Sequence, residues 1–405
     1  MKNPLNKRLL RELRTEFGKY AVIFLFMVMT IGLESGDLVA SDSMIATCNQ
    51  RYEKYHVENG HFHLKQKMKD EAVNKIEKED VTVYPDFYVE RSYKGKDKKE
   101  KTLRIYESRD EINQLCIMDG SLPEKDNEIV IDRMFADNNK TKTGDILSID
   151  GKDYTVSGLV SFSDYTTMFQ NNSDMMFDSV NFGVAMGTKS EFESLSDRNL
   201  TYNYAWTYNA GDPADDMEEK KWSDDLLETV VDAAGEGGGA TALGSMLGVL
   251  NMDNGIDDYV PRYTNQAMNF AGDDLGSDRG SMLAFLYILI AVLAFIFGVT
   301  ISHTITKEAT VIGTLRASGY TRGELFRHYI SMPIIVTLLA ALVGNILGYT
   351  YMKGVISDLY YSSYSLPKYE TLWNQQAFVL TTLVPILLML LVTGATLIRK
   401  LELSP

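Results

Sequence analysis

Long apolar runs lie near both ends of the chain, and the residues between them, 41–280, are mostly polar. Residues 281–302 and 377–398 are almost wholly apolar, and residues 330–352 carry no charge. A helix needs about 20 apolar residues to cross the hydrocarbon core of a membrane. The first run, residues 21–33, reaches that length if its helix begins near Phe17, with the next lysine extending to the interface. The pattern predicts four transmembrane helices, one before the polar stretch and three after it.

A basic start followed by an apolar run is also typical of a cleaved signal peptide. The residues after this run read LESGDLVASDS, with acids where a cleavage site needs small side chains, so we expect a retained helix. Upstream, leucines recur at helical spacing among basic residues. This predicts an amphipathic helix on the inner membrane surface, with packing against protein as the alternative. The apolar positions are Leu5, Leu9, Leu10, Leu13 and Phe17.

Short apolar runs separated by turn residues fill the polar stretch and predict β-strands. Residues 81–93 and 101–108 flank a lysine-rich loop, which predicts a hairpin with a solvated tip that includes Lys101. Further strands are predicted at 128–131, 146–149 and 154–160, with a turn at Asp150-Gly151. The predicted fold is an α+β membrane protein, in which a large mixed, strand-rich domain is inserted between transmembrane helices 1 and 2.

The distribution of charged residues predicts on which side of the membrane each segment lies. Residues 41–280 contain 26 basic and 46 acidic residues, a formal charge of −20 against −15 for the whole chain. Lysine and arginine are concentrated beside the membrane in the N-terminal segment, in residues 303–329 and in the C-terminal tail, and they are sparse in residues 353–376. Positive residues favour the cytoplasmic side. Both termini and residues 303–329 are therefore predicted to be cytoplasmic, and residues 41–280 extracellular, in a multi-pass plasma-membrane protein.

The predicted domains are residues 1–40, residues 41–280 and residues 281–405. The acidic composition argues against a nucleic-acid partner, because binding to phosphates needs clustered basic residues.

Catalytic and cofactor motifs are absent from the sequence. It contains no phosphate-binding G-x-x-x-x-G-K-[ST] pattern, no G-x-S-x-G and no H-E-x-x-H. His61 and His63 would share one face of a strand, but no third metal ligand is fixed, and residues 211–239 lack the spacing of a calcium loop. We expect no catalytic residue, cofactor or metal in this chain. Cys48 and Cys116 are compatible with one disulfide or with two free thiols.

The predicted cytoplasmic loop carries its own helix signals. Val311, Ile312 and Leu315 form an apolar stripe on a short helix, and Gly319 suits the left-handed residue that ends it. A capping box, Thr321 with Glu324, then begins the next helix. An ordinary connection between two helices is the alternative to a functional surface.

The same loop resembles the signature of the FtsX/MacB-like ABC transporter permeases. The topology of one span, a large outside domain and three further spans is also similar to that family, as is the strand pattern of residues 128–160. Residues 319–320 and 260–274 resemble the large Gram-positive branch. The residues that carry the loop signature are Glu308, Ile312, Gly313, Leu315, Arg316, Ala317 and Gly319, followed by Glu324 and Leu325.

The resemblance implies a permease subunit that works by mechanotransmission. ATP would be bound and hydrolysed by a separate ABC ATPase, and the helices would carry the movement to the extracellular domain, for efflux, extraction or envelope regulation. The coupling residues would be Lys307, Glu308, Val311, Ile312, Leu315, Arg316, Gly319, Tyr320 and Arg322, with Ile312, Leu315 and Tyr320 filling a groove of the ATPase. An extracellular peptide, lipid or envelope protein would be a further partner. The alternative is an ATP-independent membrane receptor or sensor with a ligand-binding extracellular domain.

Two G-x-x-x-G patterns allow helices to approach closely: Gly32 with Gly36, and Gly344 with Gly348. Packing within one chain and a subunit interface are both open. The chain ends directly after the fourth apolar run, whereas members of the large Gram-positive branch continue into a second half. The sequence therefore fits a half-transporter that pairs with a second copy or half, and equally the N-terminal half of a longer polypeptide.

Overall fold

The computed structural model describes residues 11, 14–194, 200–235 and 256–403. Most of the predicted N-terminal amphipathic helix lies outside these described residues. Two compact units can be distinguished. The helical unit comprises the described residues of Met1–Ile45, Leu275–Leu359 and Glu370–Pro405. The strand-rich unit comprises those of Ala46–Asp274 and Tyr360–Tyr369.

The elements follow in chain order. Helix α1 spans Phe17–Lys54. The strand-rich part then contains β1 (Gly60–Leu64), α2 (Asp70–Ile76), β2 (Val81–Pro85), β3 (Tyr88–Lys94), β4 (Glu100–Tyr106), β5 (Leu115–Gly120), β6 (Glu128–Asp132), α3 (Arg133–Asn138), β7 (Ile146–Ile149), β8 (Lys152–Phe162), β9 (Phe182–Met186), α4 (Lys189–Glu193), β10 (Leu200–Tyr208), α5 (Asp216–Gly235) and β11 (Ile256–Pro261). The last part contains α6 (Gln266–Lys307), α7 (Ala309–Ala317), α8 (Arg322–Leu347), a π-helical turn (Gly348–Met352), α9 (Lys353–Tyr361) and α10 (Gln375–Leu403).

Four helical stretches of the described chain are long and apolar enough to cross a membrane, as predicted. They are Phe17–Lys54, Gln266–Lys307, Arg322–Tyr361 and Gln375–Leu401. Pro333 lies inside α8 and Pro385 inside α10. Proline is tolerated in spanning helices where neighbouring groups satisfy the backbone atoms it leaves unpaired.

The boundaries of the two units lie a few residues from the predicted domain boundaries at 40/41 and 280/281. They fall after Ile45 and after Asp274, inside α1 and inside α6, because both helices continue past their apolar runs. The strand-rich unit also includes Tyr360–Tyr369, a segment predicted to belong with the transmembrane helices.

The strand-rich unit is built on one mixed sheet of eleven strands. Its order is β11-β1-β10-β3-β4-β9-β6-β8-β5, with β2 also pairing with β10 and β7 with β8. Strands β4 and β9 run parallel, as do β6 and β8, and the other pairs are antiparallel. The predicted mixed, strand-rich domain is confirmed, as are the β3–β4 hairpin and the turn at Asp150 and Gly151, where φ is 50° and 79°.

Two local predictions for this sheet are wrong. Residues 81–93 form two strands, because the chain leaves β2 at Pro85 and the next residue, Asp86, is buried in an ion pair with Arg109. Lys101 is not in a solvated tip. Its ammonium group is buried, 3.1 Å from an Asp97 carboxylate oxygen and 3.2 Å from the side-chain oxygen of Asn181.

Each unit has its own apolar core. In the helical unit, α1, α6, α8 and α10 contribute buried side chains to one cluster. In the strand-rich unit, the sheet packs against α2 and α5. Representative core residues are Met27, Ile31, Phe297, Ala340 and Met389 in the first unit, and Phe62, Leu103, Ile131, Trp206 and Val230 in the second.

Candidate coupling surface and the elements that position it

The α7 segment, residues 307–322, folds as its sequence signals predict. Gly319 has a φ of +94°, the left-handed conformation that ends α7. The Thr321 hydroxyl oxygen accepts a hydrogen bond from the Glu324 backbone N–H at 3.2 Å, and a Glu324 carboxylate oxygen accepts one from the Thr321 N–H at 2.9 Å. This reciprocal pair is the predicted capping box, and it is confirmed at the start of α8.

The inner face of α7 is packed into the helical unit. Ile312 is 0% exposed and lies in one apolar cluster with residues of α6, α8 and α10. Leu315 is partly buried against the same cluster. Glu308 accepts a hydrogen bond from the Tyr329 hydroxyl at 2.6 Å. These contacts hold α7 against α6, α8 and α10.

The outer face of α7 is open. Val311 is 41% exposed, and Thr310, Thr314, Ala317 and Ser318 are exposed with it. Successive residues of a helix point about 100° apart. One edge of the predicted stripe therefore faces outward at Val311, while Ile312 faces inward.

The predicted coupling residues therefore separate into three groups by their exposure. Ile312 is interior, which differs from the expectation that it fills a groove of a partner. Glu308, Leu315, Arg316 and Tyr320 are half-buried. The exposed members are Lys307, Val311, Gly319 and Arg322. We call the exposed set, with Thr310, Thr314 and Ser318, the outer α7 surface.

Lys307 also joins this surface to the residue that precedes α1. Its ammonium group lies 3.1 Å from a carboxylate oxygen of Glu16, which Lys19 also contacts. The hydrogen bonds from these two lysines lower the pKa of Glu16. Exposed ion pairs of this kind contribute little to stability, so the pair orients the lysine rather than fixing the fold.

The four predicted packing glycines come together within this chain. A Cβ on Gly32 would lie 3.1 Å from Leu347, and one on Gly36 would lie 2.5 Å from Met352. A Cβ on Gly348 would lie 1.8 Å from the Ser35 hydroxyl oxygen, 2.8 Å from the Gly32 carbonyl oxygen and 2.9 Å from the Gly36 nitrogen. Of the two open alternatives, this structure contains the packing within one chain, between α1 and the end of α8.

The segment Tyr360–Tyr369 is bound into the strand-rich unit by its backbone. Ser365 donates its N–H to Thr166 O at 2.9 Å, and its carbonyl oxygen accepts from the Ser161 hydroxyl at 2.7 Å. Its hydroxyl donates to Asp132 at 2.5 Å. Burial raises the pKa of Asp132 to about 6, although this hydrogen bond opposes the shift. The sequence carries no recognised signal for these contacts.

His61, which was considered as a metal ligand, has another partner, and the two cysteines, for which a disulfide was left open, are not bridged. His61 is hydrogen-bonded to Glu58, with 2.5 Å between its Nδ1 and a carboxylate oxygen. Within the described residues, no group of three or more His, Cys, Asp or Glu side chains is arranged to hold a metal ion. Cys48 and Cys116 are both free and buried, so the free-thiol alternative holds.

These observations define a class: the described residues form four helices long and apolar enough to span a membrane, a strand-rich insertion after the first, and a short helix between the second and third. Residues 283–405 match the model of the FtsX-like permease C-terminal domain. Over these residues the chain is similar to the FtsX-like permeases, and the predicted resemblance to the FtsX/MacB-like family is confirmed there.

The periplasmic region of MacB from Actinobacillus actinomycetemcomitans is a similar solved structure. It is 13% identical, and the match covers 42% of this chain and 84% of that chain with a TM-score of 0.26. A TM-score of that size does not establish a common overall fold, so the likeness to the permease family rests on the match over residues 283–405. None of the curated proteins compared with the chain matches it.

Proposed function

We propose that this chain is the permease subunit of an ABC transporter and couples ATP hydrolysis by a separate ATPase to movement of its strand-rich domain. The observation that carries the proposal is the permease match over residues 283–405, which includes the whole α7 segment. The chain itself would bind no nucleotide, since it has no phosphate-binding motif.

The composition of the outer α7 surface suits a contact with an ATPase. Its exposed residues are small or apolar along α7 and basic at both ends, at Lys307 and Arg322. A partner that pushes on this surface would act on a helix held from behind by the buried Ile312. Force would then pass to α6 and α8 rather than being lost in side-chain motion.

Chain segments shared by the two units would carry that movement. Helices α1 and α6 each continue from the helical unit into the strand-rich unit, after Ile45 and before Leu275. The segment Tyr360–Tyr369 also belongs to the strand-rich unit, although both its flanks belong to the helical unit. No hydrolytic or redox step in this chain is needed for such transmission.

The proposed orientation places the α7 segment in the cytoplasm and the strand-rich domain outside the cell. The excess of lysine and arginine beside α7 and in both terminal segments supports it. Ser318→Cys would test it against Ser173→Cys in the strand-rich unit, since both positions are exposed. A membrane-impermeant thiol reagent applied to intact cells should label Ser173→Cys and not Ser318→Cys. The reverse result would contradict the orientation.

The coupling itself is tested by isolating the tagged chain from the membranes of the cell that encodes it. We expect a nucleotide-binding ATPase to copurify and to hydrolyse ATP in the isolated complex. Val311→Glu should remove that ATPase, because a charge would be placed on the outer α7 surface. Met217→Glu is the matched control, an apolar-to-acid change at an exposed helical position of the strand-rich unit.

A retained ATPase with unchanged hydrolysis in Val311→Glu would contradict the proposed contact. If no ATPase is recovered with the unmodified chain, the ATP-independent receptor or sensor becomes the better description. A second permease half or second copy would be recovered in the same experiment as a further membrane chain.

A further inference from the structure

A polar cavity of about 480 Å³ lies within the strand-rich unit. Ligand sites in proteins commonly measure about 300–1,000 Å³, so the cavity is large enough for a small organic molecule or a few side chains of a peptide. It is lined by Glu58, His61, His63, Asp164, Asn203 and Asp258, together with tyrosines and arginine. Neither the permease match, at residues 283–405, nor the outer α7 surface includes any of these residues.

Three of the lining residues form a row across neighbouring strands. His63 on β1 lies opposite Asp258 on β11 and opposite Asn203 on β10. Residues directly opposed on adjacent strands point to the same face, with Cβ atoms about 4.5–5.5 Å apart. Asp258, His63 and Asn203 therefore present their side chains side by side, and we call them the acceptor row.

Asn203 has an unused acceptor. It is 2% exposed, and its amide nitrogen donates to Asp86 at 3.4 Å. Its side-chain oxygen has no hydrogen-bond partner among the described residues. A buried carbonyl oxygen is costly to leave unpaired, so this atom requires a donor that the described chain does not supply.

The other two members of the row are acceptors as well. Burial lowers the pKa of His63 well below its ordinary value, and the charges of His61 and Arg104 lower it further. A neutral imidazole keeps one ring nitrogen as an acceptor. Asp258 contributes a carboxylate, of which one oxygen accepts from the Tyr259 N–H at 2.9 Å.

The charged side chains around the cavity leave an excess of negative charge, because Arg104 is already paired with Glu90 and His61 with Glu58. Arg109 is the single cation between two carboxylates, 2.7 Å from Asp86 and 2.8 Å from Asp164. The carboxylate of Asp258 adds to this excess. A charge in a buried site is stabilised by an opposite charge that also donates hydrogen bonds.

Two of the three tyrosine rings that line the cavity are already covered by arginines. The Arg104 guanidinium lies 4.4 Å from the ring centre of Tyr88, and that of Arg109 lies 3.7 Å from the ring centre of Tyr106. A ligand cation held by either of these two rings would have to displace its arginine. A cation that carries N–H groups can instead use the acceptor row.

We propose that this cavity binds the primary ammonium or guanidinium group of an organic ligand, with its N–H groups donating to Asp258, His63 and Asn203. The ligand is either a free polyamine or a basic side chain of a peptide, and the chemistry at the row is the same for both. The site is independent of the outer α7 surface and of any ATPase.

The test uses the full chain in nanodiscs of phosphatidylcholine, whose headgroup has no net charge. Isothermal titration calorimetry is performed without nucleotide, with spermidine, tetralysine, trimethylated tetralysine and acetylated tetralysine. Trimethylation keeps the charge and removes the N–H donors, whereas acetylation removes the charge. We expect spermidine or tetralysine to bind, trimethylation to weaken tetralysine at least tenfold and acetylation to abolish binding.

A matched pair of variants locates the site. Asp258→Asn should weaken binding about tenfold, equivalent to about 1.4 kcal/mol, while its remaining oxygen can still accept from the Tyr259 N–H. Asp153→Asn makes the same charge change at an exposed position of β8 and should leave binding unchanged. The near-ultraviolet circular dichroism of the Trp206–Tyr259 stack, with ring centres 5.0 Å apart, checks that Asp258→Asn is folded.

Binding of only one of the two unmodified probes supports the proposal and identifies the source of the cation. The proposal is overturned if neither spermidine nor tetralysine binds, or if trimethylated tetralysine binds as tightly as tetralysine. It is also overturned if Asp153→Asn weakens binding as much as Asp258→Asn, because that result would assign the affinity to general surface charge.

Discussion

Gly348→Ala perturbs a close approach between α1 and the π-helical turn that follows α8. The added methyl group would lie 1.8 Å from the Ser35 hydroxyl oxygen, 2.8 Å from the Gly32 carbonyl oxygen and 2.9 Å from the Gly36 nitrogen. Ser35 can rotate its hydroxyl away, but the two backbone atoms cannot move without separating the helices. We therefore expect α1 and the π-helical turn after α8 to be forced apart.

The magnitude follows from two opposing effects. Overpacking a well-packed interior costs about 1–3 kcal/mol. Replacing glycine by alanine within a helix returns about 0.5–1 kcal/mol. The expected net loss for Gly348→Ala is about 1–2 kcal/mol. Gly354→Ala is the matched control, because nothing lies within 4 Å of its added methyl group. That variant should be at least as stable as the unmodified chain.

The assay is unfolding of the full chain in dodecyl maltoside by added sodium dodecyl sulfate, followed by loss of helical circular dichroism. Gly348→Ala should unfold at a lower fraction of sodium dodecyl sulfate, and Gly354→Ala at an equal or higher one. The double variant Gly348→Ala with Ser35→Ala should recover only part of the loss, since the backbone contacts remain. Equal midpoints for the two single variants would refute the reasoning.

Three further predictions concern buried groups. Ile312→Ala should cost about 2–5 kcal/mol, because it empties an enclosed site, whereas Val311→Ala should change stability by no more than about 0.5 kcal/mol; the same unfolding assay measures both. Glu34 is 0% exposed, and both its carboxylate oxygens lack partners in the described chain, so Glu34→Leu should raise the unfolding midpoint. A lower midpoint would show that the carboxyl group has an unrecognised stabilising role. Since the pKa of Asp132 is raised to about 6 from an ordinary value of 3.8, the native state retains a proton that the unfolded chain releases between these values. The free energy of unfolding of the strand-rich unit should therefore fall as the pH rises from about 4 to about 6, and Asp132→Asn should flatten that slope in thermal unfolding followed by tryptophan fluorescence.

Patterns that depend only on neighbouring residues predicted the structure well. The four spanning helices follow from apolar length, and the capping box of Thr321 and Glu324 follows from one hydrogen-bond pair within a single turn. The turn at Asp150 and Gly151 follows from the left-handed backbone that both residues adopt. In each case the residues that determine the feature lie in one continuous stretch of sequence.

Long-range contacts were not predictable from these patterns. Lys101 lies in a lysine-rich stretch that is typical of a solvated loop, yet Asn181, far along the chain, closes over its ammonium group. Ser365 looks like an ordinary loop residue, and only the folded sheet brings Asp132, Ser161 and Thr166 to it. The acceptor row has the same origin, since it depends on the register of β1 with β10 and β11.

The stripe on α7 shows why a correct pattern still gave an incomplete site. Three apolar residues on a short helix indicate one buried face, but they do not say whether the helix buries it against its own chain or against a partner. In this structure the chain's own α6, α8 and α10 enclose Ile312, and Val311 remains outside. A contact that transmits force needs both properties, because an exposed residue gives the partner access and a buried neighbour prevents the helix from yielding. Changes at Ile312 should therefore reduce stability and coupling together, whereas changes at Val311 should reduce coupling alone.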